Sequence, residues 1–486
     1  MIAYKNGVLL SGLLLVMSSS AMAQNVAVLP MGGRTGGMGG VGVANGNDAA
    51  MGYVNPAGLA LIDRDTLSTS LSAYSLRAIR VDDFYADPEI FSGSGNTVGR
   101  NRVQQNLVST IPTSLVYLVH FGSERHQVLS FSIMSPDSQR SEYAGNAQID
   151  SFGLTTNVRT TFVTRFDSYY FGPSYAIETR VGATGNLRLG LGGYLVYASY
   201  NNSFSEQTVY GTTPTTDFVE QGNNRYVSAT SYDLVGVAGF QLEFDSWSLG
   251  ASVHSESTNL GGTMEASSRY TRIANGVFDP MDNPQPDTIL QSKRSGSYEE
   301  RRPLRFSAGF ALRLSEKLNI GADVYYVAGL SEFPIYETEF QRTILVEGQQ
   351  PQIESMSLTQ NFSQREVING AFGFEYLLSD TWTLRGGGFS DFSATELPED
   401  YDLGYLFMQK VDRFGGTLGL GFTGASGETS FAVSYVGGLG TMVGYDLGNE
   451  DNALLEPREA EALTSTLMLL ISGSVDIESL GKSAVP

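Results

Sequence analysis

The sequence contains no cysteine and only three histidines, and both shortages narrow its chemistry. Without cysteine the chain has no disulfide, no thiolate metal site and no thiol nucleophile. The histidines His120, His126 and His254 show no spacing typical of a Ser-His-Asp triad. We therefore predict that the chain is not an enzyme and that it holds neither a metal nor a cofactor.

Charge is also scarce, because only 17% of residues are charged against about 25% in typical globular proteins. The 30 basic and 51 acidic residues give a net charge of −21. A nucleic-acid partner is not expected, since phosphate recognition needs a basic surface. Glycine, phenylalanine and tyrosine are abundant instead, with 56, 26 and 25 copies.

Long apolar runs are missing beyond the N-terminus, where the longest, such as residues 467–471, have five residues. A membrane-spanning helix needs about 20, so helical spans are not expected. Residues 1–23 combine Lys5, an apolar core at 8–17 and an Ala-Met-Ala ending, which is typical of a signal peptide. We predict cleavage after Ala23 and export from the cytoplasm.

The remaining chain repeats one pattern, in which apolar residues alternate with small or polar ones. Residues 246–254 are a clear example, and such alternation indicates strands with two different faces. The sequence predicts fourteen strands of this kind, at 66–79, 111–122, 126–134, 164–180, 186–200, 226–243, 246–256, 303–314, 317–329, 365–378, 381–391, 409–422, 428–437 and 462–475.

The connections between these segments alternate strictly between short turns and long polar loops. This alternation is typical of transmembrane barrels, which have brief periplasmic turns and longer external loops. A soluble β-sandwich, the alternative, would mix its turn lengths. We predict an all-β fold, a transmembrane antiparallel β-barrel of about 14 strands at 66–475, followed by a periplasmic tail at 476–486.

Residues 24–65 precede the first strand and are not needed to build the barrel wall. They include a glycine-rich run at 31–44 and a turn signal at Asn55-Pro56. The run lacks the Gly-Lys-Ser/Thr ending of a phosphate loop. Glycine permits tight folding in a confined space, and a fourteen-stranded barrel has a lumen wide enough to need filling. We expect this segment to be an N-terminal lumenal plug.

The glycine-rich run, the sequence GNDA at 46–49 and the sequence NPAGLA at 55–60 resemble the N-terminus of FadL-type (OmpP1/FadL/TodX) outer-membrane transporters. The resemblance implies a fourteen-stranded barrel with an N-terminal hatch that plugs the lumen. It implies passive uptake of long-chain fatty acids or hydrocarbons, with cargo leaving sideways through the wall into the bilayer. The alternative is an outer-membrane scaffold or secretion-associated barrel without its own cargo.

The partners expected with this function are a hydrophobic small molecule, outer-membrane lipid and lipopolysaccharide, and the barrel-assembly machinery. Two inward arginines, Arg365 and Arg385, are candidates for a fatty carboxylate, although pairing with Asp323 or Glu375 would also explain them. The apolar loop residues Phe333, Tyr336, Phe340, Leu406 and Phe407 are candidates for cargo capture, with loop packing as the alternative. The candidate hatch and gate residues are Gly36, Gly39, Gly42, Asn55, Pro56 and Ala57.

Overall fold

A computed structural model gives the fold of the chain. It describes residues 31–82, 84–86, 97–98, 102–122, 126–151, 154–212, 218–275, 288–345, 350–396, 409–446 and 456–477. The predicted signal peptide lies outside the described residues, as does the predicted tail beyond residue 477. Within the described ranges no helix is long and apolar enough to cross a membrane.

Fourteen strands pair in a closed antiparallel ring, in which the last strand returns to pair with the first. The ring confirms the predicted all-β barrel, and each predicted segment coincides with one of its strands. The ring strands are β1 (Thr66–Asp82), β4 (Arg102–Phe121), β5 (Gln127–Met134), β7 (Leu154–Val181), β8 (Gly185–Thr212), β9 (Phe218–Glu243), β10 (Trp247–His254), β13 (Arg305–Arg313), β14 (Leu318–Val327), β17 (Val367–Leu377), β18 (Trp382–Asp391), β19 (Gln409–Gly424), β20 (Gly427–Asp446) and β21 (Glu456–Asp476).

The wall strands expose large apolar side chains on one face and bury small or polar ones on the other. On β10, Leu249 and Ala251 alternate with the buried Ser248 and Ser252. Outward side chains such as Leu191 are more than half exposed, at 63%. An outward apolar band over a polar lumen is the arrangement that lipid requires of a barrel.

Beyond the membrane level the structure differs from the sequence-based expectation of long polar loops. β7 and β8 each have 28 residues, whereas about 10 suffice to cross a bilayer. Backbone groups outside the membrane are satisfied by continuing the ladders. The added strands are β2 (Tyr85–Ala86), β3 (Thr97–Val98), β6 (Ser138–Ser151), β11 (Thr258–Asn275), β12 (Thr288–Tyr298), β15 (Leu330–Leu345) and β16 (Gln352–Gln364).

Residues 31–65, named here the inner segment, precede β1 and pack against the inner face of the wall. They form the short helices α1 (Arg34–Gly37) and α2 (Met51–Val54) and the 3-10 helix η1 (Pro56–Leu61). Most of the side chains between residues 31 and 59 are buried. The chain reverses at Gly39 and Gly40, whose φ angles of 72° and 92° favour glycine.

Candidate functional site

An apolar cluster fills the barrel interior outside the membrane level, and we name it the external cluster. Its members come from distant strands and share burial and contact with one another. Phe333 and Phe362 meet edge to face, with ring centroids 5.7 Å apart. The larger side chains of the cluster are Ile79, Phe84, Phe162, Tyr200, Phe204, Met264, Tyr298, Phe333, Ile335, Tyr336, Phe362 and Met442.

Charged side chains lie near this cluster, and we name Asp137, Asp233, His254, Arg302 and Arg305 the charged layer. Arg302 forms an ion pair with Asp233 at 3.0 Å. Arg305 donates to Nε2 of His254 at 2.9 Å. Asp137 interacts electrostatically with both arginines. Arg302 Nη2 and Arg305 Nε are buried without a hydrogen-bond partner.

Glu300 adds a titratable group in the external connection between β12 and β13. Tyr298 donates to its carboxylate at 3.1 Å. The pKa of Glu300 is raised to about 8, mainly by burial and also by the charge on Asp233, against the opposing charge of Arg302. This carboxyl is therefore largely protonated at neutral pH.

The charged layer rests directly on the inner segment through Tyr53. The Tyr53 ring lies 4.7 Å from His254 and 5.3 Å from Tyr170, both edge to face. The guanidinium of Arg305 lies over Tyr53 at 5.1 Å, and that of Arg302 lies over Tyr170 at 5.6 Å. These contacts connect the floor of the external region to helix α2.

The wall beside the charged layer has a break between β4 and the strand formed by β5 and β6. β4 pairs continuously with β5 up to Ser114 and Met134. Beyond that pair, β4 meets β6 only at Gln104 and Ala144 among the described residues. Residues 135–137 separate β5 from β6. Residues 105–113 and residues 135–143 do not pair with each other, and we name the opening between them the wall gap.

Two prolines explain why the ladder stops at this point. Extending the register by two residues from Ser114 and Met134 places Pro112 opposite Pro136. Proline has no backbone N–H and cannot donate to a ladder. The wall gap therefore begins where neither strand can supply the next donor, and Asp137 of the charged layer lies at this edge.

The inner segment is fixed to the wall by directed hydrogen bonds, including buried ones at Asp323. Its carboxylate accepts from the backbone N–H groups of Gly42 and Val43 at 2.7 and 3.0 Å. The Tyr325 hydroxyl donates to the same oxygen at 3.1 Å. Charge-assisted bonds of this kind are stronger than neutral ones.

Asn55 joins three elements at the start of η1. Its side-chain oxygen accepts from the backbone N–H of Ala57 at 3.2 Å, which caps the helix that begins at Pro56. Its amide nitrogen donates to the carbonyls of Val43 and Phe240 at 2.7 and 3.0 Å. Asn55-Pro56-Ala57, which we name the NPA motif, thus packs against the wall. The approach is so close that a Cβ on Gly190 would lie 2.2 Å from the Ala57 nitrogen.

An ion-pair chain fixes helix α1 to the opposite wall. Glu375 pairs with Arg34 at 3.1 Å and with Arg385 at 2.8 Å. Arg385 also pairs with Glu428 at 2.8 Å. Deeper in the segment, burial raises the pKa of the Asp48 carboxyl, against hydrogen bonds from Thr35.

The structure brings the candidate hatch residues together but separates the cargo candidates. Phe333 and Tyr336 lie in the external cluster. Arg385 lies in the ion-pair chain at α1, while Arg365 is 41% exposed and donates to the Ser393 carbonyl. Phe340 lies on β15, but its side chain is outside the described set, as are Leu406 and Phe407 entirely.

The sequence-based candidates omitted the charged layer and the wall gap. Arg302 and Asp233 are 69 positions apart, so no local motif marks their pairing. Pro112 and Pro136 were the local signals, because a proline within or beside a strand pattern indicates an edge or an interruption. No set of three potential metal ligands occurs among the described residues.

Solved structures of similar fold include a FadL homologue, a monoaromatic hydrocarbon channel and a toluene transporter. A FadL homologue from Pseudomonas aeruginosa has a TM-score of 0.54 and 16% identity, covering 94% of this chain and 100% of its own. The CymD monoaromatic hydrocarbon channel has a TM-score of 0.52 and 13% identity, covering 93% and 98%. The toluene transporter TodX of P. putida has a TM-score of 0.51 and 13% identity, covering 93% and 99%. At these identities the likeness establishes the fold alone.

Sequence comparisons are more specific about the family. A search of curated proteins found no match to this chain. The family model described as outer membrane protein transport protein (OMPP1/FadL/TodX) matches residues 12–423. Because this match spans most of the 486 residues, the chain belongs to the OMPP1/FadL/TodX family of outer-membrane transport proteins.

Proposed function

We propose that the protein takes up amphiphilic, acidic apolar molecules, of which long-chain fatty acids are the model. The external cluster receives the apolar chain, the charged layer receives the acidic head, and the wall gap releases the cargo into the bilayer. The observation that carries the proposal is the contiguity of two features, since Asp137 belongs both to the charged layer and to the edge of the gap.

The coarser part of this function follows from family membership. The family comprises channels for hydrophobic substrates in the bacterial outer membrane rather than enzymes. Cleavage of the signal peptide after Ala23, the choice of cargo and the sideways exit are the finer parts, and they are proposals.

The charged layer favours an acidic cargo over a plain hydrocarbon. Arg302 Nη2 and Arg305 Nε are buried donors without partners. A buried unpaired donor costs about 1–3 kcal/mol, more when it is charged. A carboxylate would satisfy both nitrogens, with the guanidinium fork as its natural partner. A hydrocarbon has no acceptor atom and would leave both nitrogens without a hydrogen-bond partner.

Uptake by proteoliposomes tests the cargo class, with oleate and hexadecane as probes. Arg305→Gln is expected to slow oleate uptake about 10- to 100-fold, because a hydrogen bond to a charged group contributes about 1.5–3 kcal/mol. Hexadecane uptake should not change. Arg313→Gln is the matched control, since Arg313 is 56% exposed and pairs with Glu243 at 3.2 Å. Equal losses for both probes in Arg305→Gln would contradict a carboxylate site.

Sideways exit is supported by the wall gap and is tested by bridging it. Because the chain has no cysteine, Thr113→Cys with Ser135→Cys can be joined by a thiol-cleavable bifunctional reagent. We expect the bridge to stop oleate uptake and its cleavage to restore it. The control pair, Tyr117→Cys with Phe131→Cys, joins residues already paired below the gap. Undiminished uptake through the bridged gap would exclude this exit.

We further propose that the inner segment is the plug that the family resemblance implies. Its burial and its hydrogen bonds to opposite walls support this role. Deletion of residues 24–44 should open an ion leak and alter oleate uptake in the same liposomes. Unchanged uptake with no new leak would contradict the plug.

Ligand retention separates the transporter from a scaffold barrel. After mild detergent extraction, mass spectrometry should recover fatty acids bound to the transporter. An empty barrel that co-purifies with another protein would favour the scaffold alternative.

A further inference from the structure

A row of hydrogen-bond donors crosses the outer face of the external wall. The register places Arg140 of β6 opposite Arg165 of β7, and Arg165 opposite Asn201 of β8. We propose that Arg140 and Arg165 bind a phosphate group of lipid A, the anchor of lipopolysaccharide in the outer leaflet. The site lies on the outside of the barrel and is independent of the cargo path.

The two arginines point away from the lumen. On β7, Arg165 is exposed whereas its neighbours in the alternation, Thr164 and Ser168, are buried. On β6, Arg140 is exposed and the next residue, Ser141, is buried. Adjacent strands are about 4.8 Å apart, so both guanidinium groups can reach one anion.

The direct opposition of two arginines needs an explanation, because like charges across an antiparallel pair are destabilising. Arg165 has one carboxylate partner, Asp167, at 2.5 Å. Arg140 forms no ion pair with any residue that the structure describes. Glu142 is exposed on the same face of β6, but Asp167 is the carboxylate that pairs with one of the two guanidinium groups among the described residues. A bound anion would reduce the remaining repulsion.

The contrast with the whole chain makes this pair unusual. The protein has a net charge of −21, so its general field repels anionic lipid. An exposed arginine pair is where an anion can still be held. Arginine binds phosphate oxygens through two parallel N–H bonds, which gives geometric selectivity as well as attraction.

The height of the row matches the outer headgroup region. Outward aromatic pairs lie just below it, with Tyr197 and Tyr232 at 5.4 Å and Tyr169 and Phe171 at 6.4 Å between ring centroids. Aromatic girdles mark the interfaces of membrane barrels. Arg165 is four residues beyond Tyr169, or about 13 Å along the strand. Phosphate groups of the outer leaflet lie at this level, whereas acyl chains lie below it.

Native mass spectrometry of the full protein in detergent tests the site, with diphosphoryl lipid A and its dephosphorylated form as probes. We expect the wild-type protein to retain the diphosphoryl form at least tenfold better. Arg140→Gln with Arg165→Gln should abolish that preference. The matched control is Lys410→Gln with Arg269→Gln, which removes two exposed charges from β19 and β11.

A variant that is expected to increase lipid A retention shows whether the loss in the double arginine variant could result from misfolding. Asp167→Asn removes the carboxylate that competes for Arg165, so retention of diphosphoryl lipid A should increase severalfold. Equal retention of both probes by the wild-type protein would overturn the proposal. So would an unchanged preference in the double arginine variant, or equal capture of free inorganic phosphate and lipid A.

Discussion

The interior of the barrel is held together differently at its two levels. Outside the membrane, apolar side chains such as Phe162 and Met442 fill the external cluster. At membrane level, the inner segment is fixed by directed bonds, such as those from Gly42 and Val43 to Asp323. Apolar attraction depends on buried area and not on direction, whereas a hydrogen bond weakens steeply when its geometry is lost.

This difference suits the two levels to different tasks. Under the proposed function, the external cluster repacks around an apolar guest, and the guest replaces the contact area that is lost. The inner segment is held in one position, since several of its backbone groups bond to particular wall residues, such as the Val54 carbonyl to the Ser252 hydroxyl. The following predictions test this contrast, beginning with the largest expected effect.

Asp323→Ala should release the middle of the inner segment. It leaves the N–H groups of Gly42 and Val43 buried without an acceptor, at a cost of about 1–3 kcal/mol each. A combined loss of about 3 kcal/mol corresponds to roughly 100-fold faster hydrogen exchange. Exchange at these two amides, followed by mass spectrometry, measures it. Asp380→Ala in an exposed turn is the control, and equal protection in both variants would contradict directed anchoring.

Gly190→Ala should displace the NPA motif from the wall, at a smaller total cost in free energy than Asp323→Ala. The added Cβ would lie 2.2 Å from the Ala57 nitrogen and 2.3 Å from the Pro56 carbonyl carbon, both backbone atoms. Overpacking of this kind costs about 1–3 kcal/mol. Ion conductance across a planar bilayer should rise above the wild-type level. Gly193→Ala, on the same strand with no atom within 4 Å, should leave conductance unchanged, and a rise in both would implicate the strand itself.

The sequence predicted the barrel well because its signals are local. Alternation on β10 and the short turns are each legible within about ten residues, and the closed ring confirmed the fourteen strands. The external strands were missed because their polar outer faces and distant partners hide the pattern. β11, for example, pairs with residues 24 to 57 positions earlier on β9.

The candidate site was predictable only in part, for a related reason. Arg305 and His254 lie opposite each other on β13 and β10, two strands that the sequence predicted. Asp233 lies on β9, another strand that the sequence predicted, but its partner Arg302 and the nearby Asp137 lie in connections whose positions the strand pattern does not fix. The prediction that the chain belongs to a transport family and is not an enzyme is confirmed by the family match.

Phe333→Leu in the external cluster should destabilise the protein less than Asp323→Ala or Gly190→Ala, the two changes at the inner segment. The substitution keeps the side chain apolar but removes buried ring atoms, at a cost of about 1 to 2 kcal/mol. It removes two contacts of the aromatic ring, one edge to face with Phe362 and one with the Arg301 guanidinium, which lies 4.6 Å from the ring centroid. The unfolding temperature should fall by a few degrees, and the rate of hydrogen exchange at the Gly42 amide should not change. Loss of Gly42 protection would show that the two levels are not independent.

Glu300→Gln is expected to change the pH dependence of stability rather than its maximum. Burial raises the pKa of Glu300 from 4.5 to about 8, so its neutral form suits the folded protein. The associated stability is complete below about pH 4.5 and is lost as the pH rises through about 8. The variant should therefore unfold at the same temperature as the wild type at pH 5 and at a higher temperature at pH 9. Glu299→Gln, an adjacent change at a carboxylate paired with Arg301, should not raise the unfolding temperature at pH 9. A parallel decline of the wild type and Glu300→Gln between pH 5 and 9 would show that this carboxyl is ionised throughout.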